Sequence, residues 1–237
     1  MGRAFEYRKE RKFKRWDAMS KNFTRVGREI AIAVKNGGVD PETNPKLRLA
    51  IQNAKSVQMP KDRVEAAIKR ASSKDEGNFE EVVYEGIGPG GVAIMVECAT
   101  DNTTRTVANV RLIFSRNGGN LGNSGSVGYL FERKGIFKID SSKVNLDEIE
   151  LDLIDGGAED IYEDEGILYL ETSFTDFGTM QNKLDALGIE ITGAELLRIP
   201  GNKVSVASDA LSQMENLLEK LEEDEDVVNV FHNMDEG

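Results

Sequence analysis

The chain has 237 residues, 39% of them hydrophobic, with a formal net charge of −12 and an isoelectric point near 4.8. No apolar run approaches the ~20 residues that a membrane span needs, and no apolar signal segment follows Met1. A single cysteine excludes an internal disulfide and a CxxC metal site, so we expect a cytoplasmic protein.

The modest net charge hides a strong separation of charge along the chain. Residues 1–70 carry 18 Lys and Arg against 8 Asp and Glu, whereas residues 135–237 carry 6 against 26. This separation predicts that the basic end meets a polyanion while the acidic end keeps the protein soluble. The alternative is a set of solvated helix faces, which are often rich in Lys and Arg.

Residues 1–18 form a basic arm or a first helix in which Phe5, Tyr7, Phe13 and Trp16 alternate with cations. Cations neutralise phosphates and aromatic rings stack on exposed bases, so this composition suits nucleic acid. An amphipathic helix whose aromatic side chains dock on the protein body is equally consistent with the pattern.

Three short amphipathic helices are predicted next. Gly37 and Gly38 end the first, Asn44 and Pro45 are the N-cap and first position of the second, and Pro60 starts the third. We expect the helices to pack through apolar residues at helical spacing. These are Phe23, Val26, Ile30, Ala33, Val34, Leu47, Ala50, Ile51, Ala54, Val57, Val64, Ala67, Ile68 and Ala71.

A polar linker over 72–78 separates these helices from a mixed α and β pattern. Residues 135–199 follow the order β-α-β-β-α-β, which is typical of ferredoxin-like domains. Before this unit we expect strands at 91–98 and 126–132 around a helix at 103–117. After it we expect strands at 203–206 and 227–233 around a helix at 207–223.

These patterns predict an α+β fold: an N-terminal three-helix domain followed by two ferredoxin-like α+β domains, one inserted into the other. The predicted boundaries are 1–75 for the basic arm and helical domain, 79–132 plus 200–237 for a discontinuous α+β domain, and 133–199 for an inserted acidic α+β domain.

No residue pattern supports catalysis. Residues 86–91 (GIGPGG) satisfy G-x-G-x-x-G, but a predicted strand follows them instead of the helix that a dinucleotide site needs. A tight turn and a backbone nest for an anion both remain open there. Cys98 lacks a nearby histidine and suits a packing role, and His232 is the single histidine. We therefore expect no enzyme activity, no cofactor and no metal.

Several sequence blocks resemble the YebC/PmpR family. They are 44–51 (NPKLRLAI), 53–55 (NAK), 59–62 (MPKD), 67–70 (AIKR), 84–86 (YEG) with 88–92 (GPGGV), 100–102 (TDN), 105–108 (RTVA), 117–122 (NGGNLG), 125–127 (GSV) and 131–135 (FERKG).

The resemblance implies three domains, one inserted in another, and a cytoplasmic transcriptional regulator that binds DNA. Members of this family are also similar to the mitochondrial translational activator of cytochrome oxidase, and some are described as ribosome-associated. Family members commonly begin with G-H-S-K-W followed by K-H-R-K, whereas this chain reads GRAFEYRK over residues 2–9.

We predict a non-enzymatic, nucleic-acid-binding gene regulator that binds DNA, with a ribosome-associated translation factor binding RNA as the alternative. The expected partners are DNA or ribosomal RNA, and a protein at the acidic domains, but no membrane. Gln52, Asn53 and Gln58 are candidates for base reading, and the loops 86–91 and 118–125 for close approach to a backbone. The predicted phosphate contacts are Arg8, Lys9, Arg11, Lys12, Lys14, Arg15, Arg25, Arg28, Lys46, Arg48, Lys61 and Arg63.

Overall fold

The computed structural model describes residues 22–73 and 79–235. The chain forms two units, Met1–Gly77 and Asn78–Gly237. The described part of the first unit consists of three helices: α1, described over 22–37, α2 (Pro45–Ser56) and α3 (Lys61–Ala71).

The three helices enclose one apolar core, as their hydrophobic spacing predicts. Ile30, Leu47 and Ala54 are fully buried, and Val64 and Ala67 of α3 close the core from the third side. Ile51, Val57, Ile68 and Ala71 pack around its edge. The core therefore uses the apolar stripe of each helix, which leaves the remaining faces for charged side chains.

The described part of the second unit, residues 79–235, contains eight strands and four α-helices. In chain order they are β1 (Glu80–Ile87), β2 (Ala93–Thr100), α4 (Thr103–Arg116), β3 (Asn120–Leu121), β4 (Phe131–Asp140), α5 (Leu146–Asp155), β5 (Ala158–Asp164), β6 (Ile167–Ser173), α6 (Phe177–Ala186), β7 (Ile191–Pro200), α7 (Ser208–Glu223) and β8 (Val227–His232).

The strands form two four-stranded antiparallel sheets. The first has the order β3-β1-β2-β8 and the second the order β5-β6-β4-β7. The second sheet, built from a β-α-β-β-α-β run, has the strand order of ferredoxin-like domains. All of its strands lie in sequence between β3 and β8 of the first sheet. The predicted α+β fold class is thus confirmed, while the residue boundaries of the domains stay a prediction.

The first sheet buries both faces of β2, one of its two central strands. Ile94, Val96 and Cys98 of β2 pack against α4 and α7, whose Phe114 and Met214 are fully buried. The opposite face of β2 packs against the residues that lead into β4. The second sheet carries α5 and α6, and the ring of Phe137 stacks on that of Phe177 with centroids 4.6 Å apart.

Three details differ from the sequence prediction. Strand β1 was not predicted, because its run EEVVYEGI mixes carboxylates with apolar residues on both faces. The predicted strand at 126–132 is wrong: a turn occupies Gly128–Leu130, and the chain becomes extended only at Phe131, in the second sheet. The predicted strand at 203–206 is reduced to an isolated bridge between Val204 and Met234.

Candidate nucleic-acid interface

The start of α2 is fixed by one buried side chain. Asn44 is 3% exposed, and its Oδ1 accepts a hydrogen bond from the Leu47 N–H at 3.1 Å, as predicted for an N-cap. Its Nδ2 donates to the carbonyl oxygens of Ala33 and Gly38, both at 2.8 Å. Because Asn44 joins the end of α1 to the start of α2, it also positions the cations on the first turn of α2.

Two of the predicted phosphate contacts lie on that first turn. Lys46 is exposed, and Arg48 is half-buried on the other side of the apolar stripe of α2. Lys46 forms no salt bridge within residues 22–73 and 79–235, so its charge stays available to a ligand. Lys46 and Arg48 are therefore placed by Asn44 beside the C-terminal end of α1.

Further predicted contacts lie near the opposite end of α1. The Arg63 guanidinium sits over the ring of Phe23, with its carbon 5.6 Å from the ring centroid, so the first turn of α3 lies against the start of α1. Lys61, also on that turn, is exposed, and its Nζ lies 3.7 Å from Oε1 of Glu65. Arg25 donates to Glu29 at 3.3 Å. Lys61 and Arg63 thus form a second basic group on the first turn of α3, and Arg25 lies near the described start of α1.

The two groups are separated by the length of α1 between Phe23 and Ala33, which is about 15 Å at the helical rise. Arg28 lies between them along α1 and is half-buried. The structure therefore distributes these predicted contacts along the length of α1 and does not gather them at a single point. Six predicted contacts lie outside the described residues: Arg8, Lys9, Arg11, Lys12, Lys14 and Arg15.

The three candidate base-reading residues have different surroundings. Gln52 is half-buried, and its buried Oε1 has no hydrogen-bond partner among the residues that the structure describes. Asn53 is also half-buried. Gln58 is exposed and has φ = +58°, at the position after α2 where glycine is usual. Of the three, Gln58 is the side chain that solvent reaches freely.

Part of the family-like sequence in the second unit forms a polar network around the buried carboxylate of Asp226. The Asp226 carboxylate, whose side chain is 5% exposed, accepts hydrogen bonds from Arg105 Nη2 and Thr106 Oγ1, both at 2.8 Å, and from Thr100 Oγ1 at 3.3 Å. The hydrogen bond to Asp226, followed by the charge of that carboxylate, raises the pKa of Arg105. These motif residues connect α4 to the turn between α7 and β8, so they stabilise the fold of the second unit.

Sequence reasoning also missed the role of Glu85. Its carboxylate accepts three backbone N–H bonds, from Gly125, Val127 and Gly128, each at 2.8 Å. Burial alone would raise the pKa of Glu85, but these three donors, together with the charge of Arg198, lower it below the ordinary value. No local pattern marks Glu85, because its donors come from a Gly/Asn/Ser loop some forty residues later in the chain.

The conspicuous glycines pack against the protein itself. A Cβ on Gly86 would lie 2.5 Å from the Phe114 ring, and one on Gly88 would lie 2.7 Å from Met214 Sδ. A Cβ on Gly119 would come within 3.0 Å of the Ile87 carbonyl oxygen, so the loops 86–91 and 118–122 are neighbours. Strand β2 follows the first loop, which confirms that the dinucleotide motif is incomplete.

Other candidate sites from the sequence have ordinary surroundings. Cys98 is 2% exposed in the core of the first sheet, as expected for packing, and His232 lies on β8 opposite Ile94. Within residues 22–73 and 79–235, no group of three or more His, Cys, Asp or Glu is arranged to hold a metal ion. None of the helices in those residues has the length and hydropathy of a membrane span.

The protein is of the α+β class. It has a basic three-helix unit followed by two antiparallel sheets, and the strands of the second sheet lie in sequence within those of the first. The model of the TACO1/YebC N-terminal domain matches residues 3–74, and that of the TACO1/YebC second and third domain matches residues 79–234. The chain belongs to the TACO1/YebC family, which agrees with the resemblance found in the sequence.

Relatives are similar to this chain over its full length. A probable transcriptional regulatory protein of Cytophaga hutchinsonii is 56% identical over 236 residues, covering 100% of this chain and 99% of its own. One from Porphyromonas gingivalis is 52% identical over 237 residues, covering 100% and 98%. The crystal structure of a conserved hypothetical protein from Aquifex aeolicus has a TM-score of 0.76 and 39% identity, covering 91% of this chain and 90% of that one.

Proposed function

We propose that this protein is a non-enzymatic, cytoplasmic regulator of transcription that binds DNA through its helical unit. The observation that carries the proposal is the distribution of charge around the helical core. Residues 22–73 contain 10 Lys and Arg against 5 Asp and Glu, and none of these ten cations belongs to the buried core. The names of the relatives, probable transcriptional regulatory proteins, support a role in transcription.

The proposed contacts are electrostatic. Arg25, Arg28, Lys46, Arg48, Lys61 and Arg63 neutralise phosphates along the span of α1, and the basic arm with Arg8, Lys9, Arg11, Lys12, Lys14 and Arg15 adds further contacts. Phosphate contacts fix the register of a protein on a duplex but do not read its sequence. Base reading is assigned to Gln58, because an exposed amide can pair with an adenine edge.

The test is a salt titration of binding to a fluorescent DNA duplex. In a variant with Lys46, Arg48, Lys61 and Arg63 changed to alanine, four phosphate contacts are removed. We expect the slope of log K against log salt to fall by about 3.6, since each contact contributes about 0.9. The matched control changes Lys138, Lys143, Lys183 and Lys203 of the second unit to alanine, and its slope should equal that of the wild type.

Two results would contradict the proposal. Equal slopes for the two variants would show that the helical unit is not the contact surface. Absence of duplex binding, combined with tight binding to structured ribosomal RNA, would favour the translation-factor alternative. Circular dichroism checks that each variant is folded, because Arg63→Ala also removes the contact with Phe23.

A further inference from the structure

Two aliphatic side chains on α5 face solvent although the helix already has a buried side. Leu151 is 78% exposed and Ile154 is 52% exposed, whereas Leu153 is fully buried. The spacing of three residues places Leu151 and Ile154 on the same face of the helix. Single exposed apolar residues are common, but a pair on one helical face is a small apolar surface that the fold itself does not use.

This apolar pair is surrounded by negative charge. Helix α5 contains five carboxylates and no basic residue. Asp152 accepts a hydrogen bond from Lys183 Nζ at 2.8 Å. In the part of the chain that the structure describes, the other four form no salt bridge; they are Asp147, Glu148, Glu150 and Asp155.

The arrangement is unfavourable for an isolated helix. Asp147 and Glu150, three residues apart, repel each other, and so do Asp152 and Asp155. Asp155 also lies in the last turn, where the helix dipole favours a cation, and that turn has no basic residue. A cation placed against this face would relieve both effects.

We propose that the exposed face of α5 is a docking surface for a cationic amphipathic segment of a partner protein. Such a segment would place an apolar side chain on Leu151 and Ile154 and its Lys or Arg residues against the surrounding carboxylates. The ten residues of α5 span about 15 Å, which matches two to three turns of a partner helix. An anionic membrane surface or a nucleic acid would be repelled, because residues 133–199 carry 16 Asp and Glu against 6 Lys and Arg.

The test measures binding of a fluorescent 14-residue synthetic peptide of Leu and Lys, patterned as an amphipathic helix, to the full chain by anisotropy. The variant carries Leu151→Gln and Ile154→Gln. We expect its affinity to be at least tenfold weaker than that of the wild type. The control carries Leu112→Gln and Leu211→Gln, which change two exposed leucines elsewhere in the same unit, and its affinity should stay within twofold of the wild type.

Each alternative occupant gives a distinct result. Equal affinity of the α5 variant and the wild type would show that charge alone attracts the peptide, and would overturn the proposal. A wild-type dimer in sedimentation that the α5 variant loses would assign the face to a second copy of the chain. If the chain's own basic arm covers this face, changing Phe13 and Trp16 of the arm to serine would release the face and make peptide binding tenfold tighter. Either of these last two results also overturns a partner protein as the occupant.

Discussion

Replacing Glu85 with glutamine tests how the loop before β4 is held. The carboxylate accepts N–H bonds from Gly125, Val127 and Gly128, and Glu85 is 8% exposed. In Glu85→Gln one acceptor oxygen becomes an NH2 group that faces backbone donors. Hydrogen bonds to a charged group contribute about 1.5–3 kcal/mol each, so losing the equivalent of one or two should cost about 3 kcal/mol.

Hydrogen exchange across residues 122–130 is the appropriate assay, because it reports the opening of this loop directly. A loss of about 3 kcal/mol corresponds to exchange roughly 100-fold faster at the amides of Val127 and Gly128. The control is Glu81→Gln, an exposed carboxylate on the same strand. Exchange that is unchanged in Glu85→Gln, or accelerated equally in Glu81→Gln, would refute the role assigned to Glu85.

The pH dependence gives an independent check of the same contact. The donors lower the pKa of Glu85 in the folded protein below its unfolded value of about 4.3. A group with a depressed folded pKa stabilises the protein fully above the unfolded pKa and loses this contribution as the pH falls through the folded one. The wild type should therefore exchange more slowly than Glu85→Gln above about pH 5. The difference should shrink steadily below pH 4.3.

Two further predictions concern the helical unit, and urea unfolding measures both. Asn44→Ala removes the N-cap acceptor and leaves two carbonyl oxygens without their donor, so it should destabilise the unit by about 2–3 kcal/mol. The control Asn36→Ala, at an exposed position, should have little effect. Equal losses of stability in the two variants would contradict the capping role of Asn44. Gln58→Gly removes a side chain from a position with positive φ and should stabilise the unit by roughly 0.5 kcal/mol, whereas Ser56→Gly inside α2 should destabilise it by a similar amount. A loss of stability in Gln58→Gly would show that its side chain makes contacts worth more than the backbone strain.

The helical unit was predictable because its signals are local. Asn44, Pro45 and the apolar spacing of Leu47, Ala50 and Ala54 lie within eleven residues, and the structure uses each as expected. The ferredoxin-like order of the second sheet was predictable for the same reason, since its helices and strands alternate without interruption.

Strand β1 and the turn before β4 were not predictable in this way. Glu85 lies on a strand that lacks a clean alternation, and its three donors come from residues forty or more positions later. The buried Asp226 belongs to a run of five consecutive acidic residues that reads as a solvated helix end. Its partners Thr100 and Arg105 are over a hundred residues away, and no pattern in one sequence connects such pairs.

The position of β8 has a consequence for the order in which the second unit folds. Strand β2 pairs with β8, which is the last strand to be synthesised. At 5–20 residues per second, the ribosome takes roughly 6–25 s to synthesise the chain from β2 to β8. The second sheet is complete once β7 has been made, before β8 begins at Val227, and in it Phe131 pairs with Pro200. Once that pair has formed, the chain enters and leaves the second sheet at adjacent points. The loop that β8 must close is then about halved, which lowers its entropic cost by about 0.6 kcal/mol. The inserted sheet thereby serves as a folding aid for the sheet that surrounds it in sequence.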